Sequence, residues 1–382
     1  MHVAIVAAIC GAGLVLWVLW EGFETIILPR RVTRRFQLTR LFYRSTWLPW
    51  VRMVGSIVPV RLRETWLSVF GPLSLLLLMI IWVFGLITGF ALIHWSLGPA
   101  LLTREGITAF FSDLYLSGTT FFTLGLGDVV PRGPLARLLV VIESGMGFGF
   151  LALVIGYLPA LNQSFARREE SITLLDARAG SPPTASEMLR RHGAEQGMEA
   201  LRELLHEWER WSSELLEGHL SYPVLAYFRS QHVNQSWPAA LTAILDTCCL
   251  VIAGLQGGGR CARQAGLTFA MARHAVVDLC LVFGTAPKEP RPDRLPPQQM
   301  VKLRGLLAQS GLKLRKGKAV EQELAELRHL YEPYCNALAA YFQVRIPPWV
   351  AAKGWVDNWQ MTIWERPTAW KVVRQGGKGD HF

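Results

Sequence analysis

Three apolar stretches dominate the first part of the chain. Residues 3–20 carry no charge and, joined to part of 21–28, make a first segment. Residues 65–93 are uncharged throughout, and residues 138–161 are interrupted only by Glu143. Each is long enough to cross a hydrocarbon core of about 30 Å as a helix. The polar positions between the first two are one-sided. Arg30, Arg31, Arg34, Arg35, Arg40, Arg44, Arg52, Arg61 and Arg63 stand against a single Glu64, which predicts a cytoplasmic loop. The N-terminus and the 94–137 segment then face outward, and everything after about residue 162 lies inside, in agreement with Arg167 and Arg168. A cleaved signal peptide fits the start poorly: no basic side chain other than His2 precedes the apolar core, and Trp17-Val18-Leu19-Trp20 is too bulky for cleavage.

The basic loop alternates arginine with Phe36, Leu38, Leu41, Phe42, Trp47, Leu48, Trp50, Val51 and Val54, the pattern of a segment lying on a membrane surface. Arg30, Arg31, Arg34, Arg35, Arg40 and Arg44 are the candidate contacts for anionic lipid headgroups; a purely topological role is the open alternative. Pro49 and Pro59 argue against one unbroken helix here.

Beyond residue 162 the pattern becomes that of a soluble, mainly helical domain. Residues 185–217 carry apolar side chains at helical spacing. Residues 241–255 and 265–282 are more apolar, but Asp246 in one and Arg273, His274 and Asp278 in the other predict buried soluble helices. Five prolines in 285–298 predict a linker. Helical spacing returns over 319–341, interrupted by Pro333, and the Trp-rich end through Trp370 is expected to dock on this domain. The divisions read from the pattern are 1–28, an N-terminal transmembrane helix; 29–66, a basic juxtamembrane segment; 67–162, the central membrane segment; 163–284, a helical cytoplasmic domain; 285–298, the linker; 299–375, a C-terminal helical part; and 376–382, a disordered tail.

Composition sharpens this only in places. A mean hydropathy of +0.26 with 18 % charged residues fits a membrane protein with a large soluble part. Trp17, Trp20, Trp66 and Trp95 fall near the ends of apolar stretches, where headgroups meet them, while Trp82 is deep enough to be a packing residue. The formal charge of +10 is explained by the arginine loop, so nucleic acid is not an expected partner. Cys10, Cys248, Cys249, Cys261, Cys280 and Cys335 form no metal-ligand spacing. Gly257-Gly258-Gly259 lacks the Lys-Ser/Thr ending of a phosphate loop. No nucleophile, base and acid can be grouped, so neither an enzyme nor a resident cofactor is expected.

The chemistry concentrates in residues 115–128, which read Y-L-S-G-T-T-F-F-T-L-G-L-G-D. A cation leaving water needs replacement oxygens, and backbone carbonyls supply them without formal charge. Gly125 and Gly127 allow backbone angles that a side chain would penalise. Thr123 adds a hydroxyl, and Asp128 is placed to concentrate cations at the mouth. A short helix from near Thr108 through Phe110, Phe111, Leu114 and Leu116 to about Phe121 would turn its carbonyl end toward the cation. The third apolar stretch carries Gly145, Gly147 and Gly149, which permit either bending or close packing. Glu143 either reaches the hydroxyls behind the loop or faces water.

This segment resembles the pore loop of the bacterial two-transmembrane-helix potassium channel family, whose signature is T-x-x-T-x-G-Y-G-D. Thr120, Thr123, Gly125, Gly127 and Asp128 match it, and Leu126 stands in place of the tyrosine. The resemblance covers residues 68–161 and implies an all-α membrane protein with a tetrameric pore-loop channel fold, here with an extra N-terminal helix. It further implies a selectivity filter of Thr123, Leu124, Gly125, Leu126 and Gly127, with potassium ions at the carbonyls of Thr123, Leu124, Gly125 and Leu126. Tyr115, Leu116, Thr119 and Thr120 fall at filter-supporting positions, with Glu143 as a further candidate, and Gly147 falls at a gating-hinge position. Leu126 near Leu116 would replace a polar tie with apolar packing, so weakly selective cation conduction stays open beside potassium conduction. A non-conducting scaffold and a tethered enzyme are the alternatives of a different class. The expected setting is the bacterial inner membrane, with anionic lipid as a partner and the ligand of the cytoplasmic part unknown.

Overall fold

In the computed structural model the described residues are 2–28, 38–98, 101–103, 110–193, 197–232 and 234–351. The chain divides into two compact units, residues 1–163 and 164–382. Arg30, Arg31, Arg34, Arg35, the helix start at Thr108 and the tail 376–382 lie outside the described residues.

In the first unit, uncharged apolar sequence forms α1 (His2–Gly22), which runs on into one π-helical turn, Phe23–Ile27. After it come α2 (Leu38–Ile57) and α3 (Arg63–Ser96). Helix α1 packs along α3, and glycines bring the two backbones together. A Cβ on Gly89 would lie 2.6 Å from Val15 Cγ2, one on Gly85 2.9 Å from Val18 Cγ2, and one on Gly11 2.5 Å from the carbonyl of Gly89. In lipid, apolar side chains gain little by exchanging hydrocarbon for each other. Close backbone approach at small residues is what holds such helices together.

Helix α2 passes through Pro49 without a break, against the expectation that this proline would interrupt it. Packing against α3 offsets the lost backbone hydrogen bond: the Trp47 ring lies 4.8 Å from that of Phe70, and Trp50 contacts Trp66 and Phe70. Pro59 does fall at an end, where the Arg63 guanidinium donates to the carbonyls of Gly55 (2.7 Å) and Val58 (3.1 Å). One of the loop arginines is thus a helix cap.

The strands β1 (Leu101–Thr103) and β2 (Val129–Pro131) pair antiparallel, with Leu101 opposite Pro131, so a small ribbon accompanies the helices. Between them lies α4 (Phe110–Phe121), and after them α5 (Pro134–Ala179). The apolar stretches 65–93 and 138–161 are both shorter than α3 and α5. Apolarity marks where a helix meets lipid, whereas backbone hydrogen bonding continues into polar sequence.

The second unit holds α6 (Ala185–Arg191), α7 (Gly197–Ser221), α8 (Trp237–Cys249), α9 (Gly259–Phe283), α10 (Pro297–Gln309), α11 (Lys318–His329) and α12 (Glu332–Phe342). Thr184 and Ser236 cap α6 and α8 through bonds of 3.3 Å from Glu187 N and Ala239 N. The stretch with helical spacing over 185–217 forms two helices that divide after Arg191, where Gly193 presses against the Ser310 carbonyl with no room for a Cβ. Every residue of α8 is buried, and α9, α12 and α6 pack around it. The described residues include five helical stretches long and apolar enough to cross a membrane. The one containing α8 is enclosed by protein.

The Pro-rich segment is not a linker. Residues 164–284 and 299–351 belong to one compact unit, and Arg294 of the Pro-rich segment ties them together. Its guanidinium donates to Asp246 (2.6 and 3.1 Å), to Glu332 (2.8 Å) and to the Pro347 carbonyl (2.8 Å), while Tyr331 bonds the same aspartate. Trp349 is buried beside it and donates to Glu332 at 3.3 Å. The prolines set this segment's path over the core, so proline content signals backbone stiffness rather than separation. The remaining C-terminal tryptophans, from Trp355 on, lie outside the described residues.

Candidate pore loop and the polar cluster behind it

Where α4 ends, its last carbonyls capture the departing chain. Thr123 N donates to the Thr120 carbonyl (2.9 Å) and Leu124 N to that of Thr119 (2.7 Å). From there every second residue is left-handed: Thr123 has φ +57°, Gly125 +57° and Gly127 +75°. In an ordinary strand successive carbonyls point to opposite sides. Alternation of hand turns every second peptide unit over, so that neighbouring polar groups face the same way. Nothing lies within 4 Å of a Cβ built on Gly125 or Gly127, so the demand for glycine comes from φ rather than from space. Thr123 is β-branched and holds this conformation at a cost.

The far end of the loop is also tied. Tyr115 of α4 donates its hydroxyl to Asp128 at 2.8 Å, and Val129 N donates to the other carboxylate oxygen at 3.0 Å. The loop 123–127 therefore hangs between two attachments to one short helix. Leu116 is buried, whereas Leu126 is 64 % exposed. Within one chain the expected Leu116–Leu126 packing does not enclose Leu126. Thr120 is buried, and Thr119 bonds its own helix at the Leu116 carbonyl, 3.0 Å away.

Helix α5 is continuous through Gly145, Gly147 and Gly149. Gly147 sits against the last turn of α4, and a Cβ there would overlap the Phe121 carbonyl, whereas Gly145 and Gly149 have open space. Close packing is therefore what Gly147 does in this state.

Glu143 is fully buried, one helical turn before Gly147. Its carboxylate lies 3.4 Å from Nε2 of His94 on α3, which is also buried, and the Ser117 hydroxyl of α4 adjoins it. Asp113, a turn earlier on α4 and equally enclosed, acts electrostatically on His94. Of the two open placements for Glu143, it occupies the one behind the loop. His94 and Asp113 were not singled out in the sequence, though a signal existed. His94 is the only titratable side chain within α3 beyond its first turn, and Asp113 is the only acid in α4.

Of the arginines considered for lipid, Arg40 and Arg44 are described. They lie one turn apart on the exposed side of α2, with Leu41 and Leu48 exposed beside them.

Residues 76–163 match the family model described as ion channel. A stretch of 109 residues is 38 % identical to the uncharacterized membrane protein YdjJ of Bacillus subtilis (strain 168), covering 26 % of this chain and 32 % of that protein. The chain thus spans about a third of the length of the curated relative it matches. No solved structure matches. Long apolar helices and a short helix with its tethered loop thus lie within or beside residues 76–163, the stretch of this integral membrane protein that is similar to the ion-channel family.

Proposed function

We propose that the protein conducts potassium passively through a homotetrameric pore. The carbonyls of Thr123, Leu124, Gly125, Leu126 and Gly127 coordinate the ion, and Asp128 concentrates cations at the outer mouth. The observation that carries this reading is the alternation of positive φ at Thr123, Gly125 and Gly127 directly after a short helix. One chain supplies one loop, so a closed ring of carbonyls requires copies around an axis. The exposed apolar side chains of α5, Val141, Phe148, Leu151 and Ile155 among them, provide surface for those copies and for lipid. The arginine-rich segment faces the cytoplasm of a bacterial inner membrane, with Arg40 and Arg44 on anionic headgroups.

Leu126 favours one second reading, weakly selective monovalent cation conduction. Its exposed side chain has no polar atom with which a neighbour could fix the width of the ring. Flux from liposomes loaded in turn with potassium, rubidium and sodium separates the readings. Potassium and rubidium flux well above sodium supports the first, and equal fluxes support the second. No flux of any cation overturns both in favour of a scaffold or a tethered enzyme.

A further inference from the structure

His94, Asp113, Ser117 and Glu143 bring four polar side chains from three helices to one place, and each is at least nine-tenths buried. The surrounding sequence is apolar, and α3 and α5 are long enough to cross a membrane. An acid and a base enclosed this way cannot hold independent charges. Burying an isolated ion is costly, so the pair carries its protons jointly. The groups facing Glu143 are His94 from α3 and Ser117 from α4, and the group facing Asp113 is His94. The cluster also spans the joint that positions the loop: Glu143 lies one turn from Gly147, which presses on the end of α4 at Phe121.

We propose that His94 and Glu143, with Asp113 facing the imidazole, form a proton-responsive brace that positions α4, and that an added proton weakens cation passage through the loop. The added proton acts in two ways. It removes negative charge behind the loop that favours the cation, and it alters the His94–Glu143 pairing that ties α3 to α5 behind α4. The coupling to conduction rests on the potassium-channel reading above, whereas the joint proton binding does not.

Two measurements on the full-length protein in lipid test it. Cation flux of the unmodified chain is expected to fall about threefold or more from pH 8 to pH 5. Glu143→Gln and His94→Asn are expected to flatten that profile. Infrared difference spectra over the same range are expected to show a buried carboxyl band that Glu143→Gln removes, a readout that needs no current. Where Glu143→Gln does not assemble, Asp113→Asn serves, and it is expected to shift the midpoint of both profiles while leaving the pair in place. Identical flux profiles in the unmodified chain and in assembled variants overturn the coupling. Identical infrared spectra overturn the brace itself. A titrating Glu143 band without flux at any pH supports joint proton binding and overturns the conduction reading together with its coupling.

Discussion

At Gly125 a left-handed backbone meets empty surroundings, so an alanine there is penalised through φ alone, by about 1–2 kcal/mol. Gly125→Ala is expected to abolish cation flux while the protein keeps its assembled size in detergent, as checked by liposome flux and size-exclusion chromatography. Leu126→Tyr tests side-chain support instead, and is expected to preserve or sharpen the potassium-to-sodium flux ratio. In the second unit, burial and then the nearby Arg168 charge push the His219 imidazole down to about 3. Its Nδ1–H donates to the Leu215 carbonyl at 2.7 Å and its ring packs on Trp237. In the unfolded chain this histidine binds a proton near its ordinary value of 6.5, and in the folded chain it does not until about 3. Stability is therefore complete above 6.5 and declines as pH falls from 6.5 toward 3, by a few kcal/mol. Thermal melts of the detergent-solubilised protein should show this loss, and His219→Gln should diminish it relative to the unmodified chain. The need for glycine at 125 and 127 was legible in the sequence because it is a property of single residues. The tie of Tyr115 to Asp128 and the meeting of His94 with Glu143 were not, since the first depends on how the loop folds back on α4 and the second on how α3 and α5 are placed.

Between elements, the α1–α3 seam makes a sharp comparison possible. Gly89→Val forces methyl groups into the Val15 side chain and the α1 backbone, an overpacking worth about 1–3 kcal/mol. Gly13 lies on the same helix as Gly11 with nothing near its Cβ position, so Gly13→Val is expected to leave the melting temperature nearly unchanged. Equal effects of the two substitutions in detergent melts would refute the seam. The sequence revealed α1 and α3 as spans because hydrophobic length is a local property. It did not reveal their glycine contact, because the spacing of Gly85 and Gly89 acquires meaning only against a partner. The same limit explains the element bounds that shifted. Pro49 was read by its intrinsic cost, which aromatic packing outweighs, and the Pro-rich 285–298 was read as a spacer although Arg294 within it is the central donor of a buried network.

At the scale of the whole molecule, the proposed channel requires four chains, so native mass spectrometry of the solubilised protein is expected to give four times 42.8 kDa; a monomer or dimer would count strongly against it. Arg294→Met leaves Asp246 buried without its guanidinium partner and is expected to destabilise the second unit by about 3–5 kcal/mol, read as a lowered melting temperature. The division into two units coincides with a change of hydropathy visible in the sequence near residue 162. The arrangement inside the second unit was not visible there, since its helices carry similar apolar spacing and only packing decides which one lies at the centre.

The enclosure of α8 also matters for how the chain is made. During synthesis this helix leaves the ribosome before α9 and α12 exist to cover it, and its apolar length matches that of a span. To the insertion machinery α8 is therefore a fourth candidate after α1, α3 and α5. A charged aspartate at the middle of an inserted helix costs about 2.5–3.5 kcal/mol. Asp246, the acceptor of the Arg294 network, would on that count disfavour insertion of α8. An Asp246→Leu chain should route α8 into the bilayer in a fraction of molecules, and a compartment-sensitive reporter fused after Gly284 would record the resulting change of sidedness.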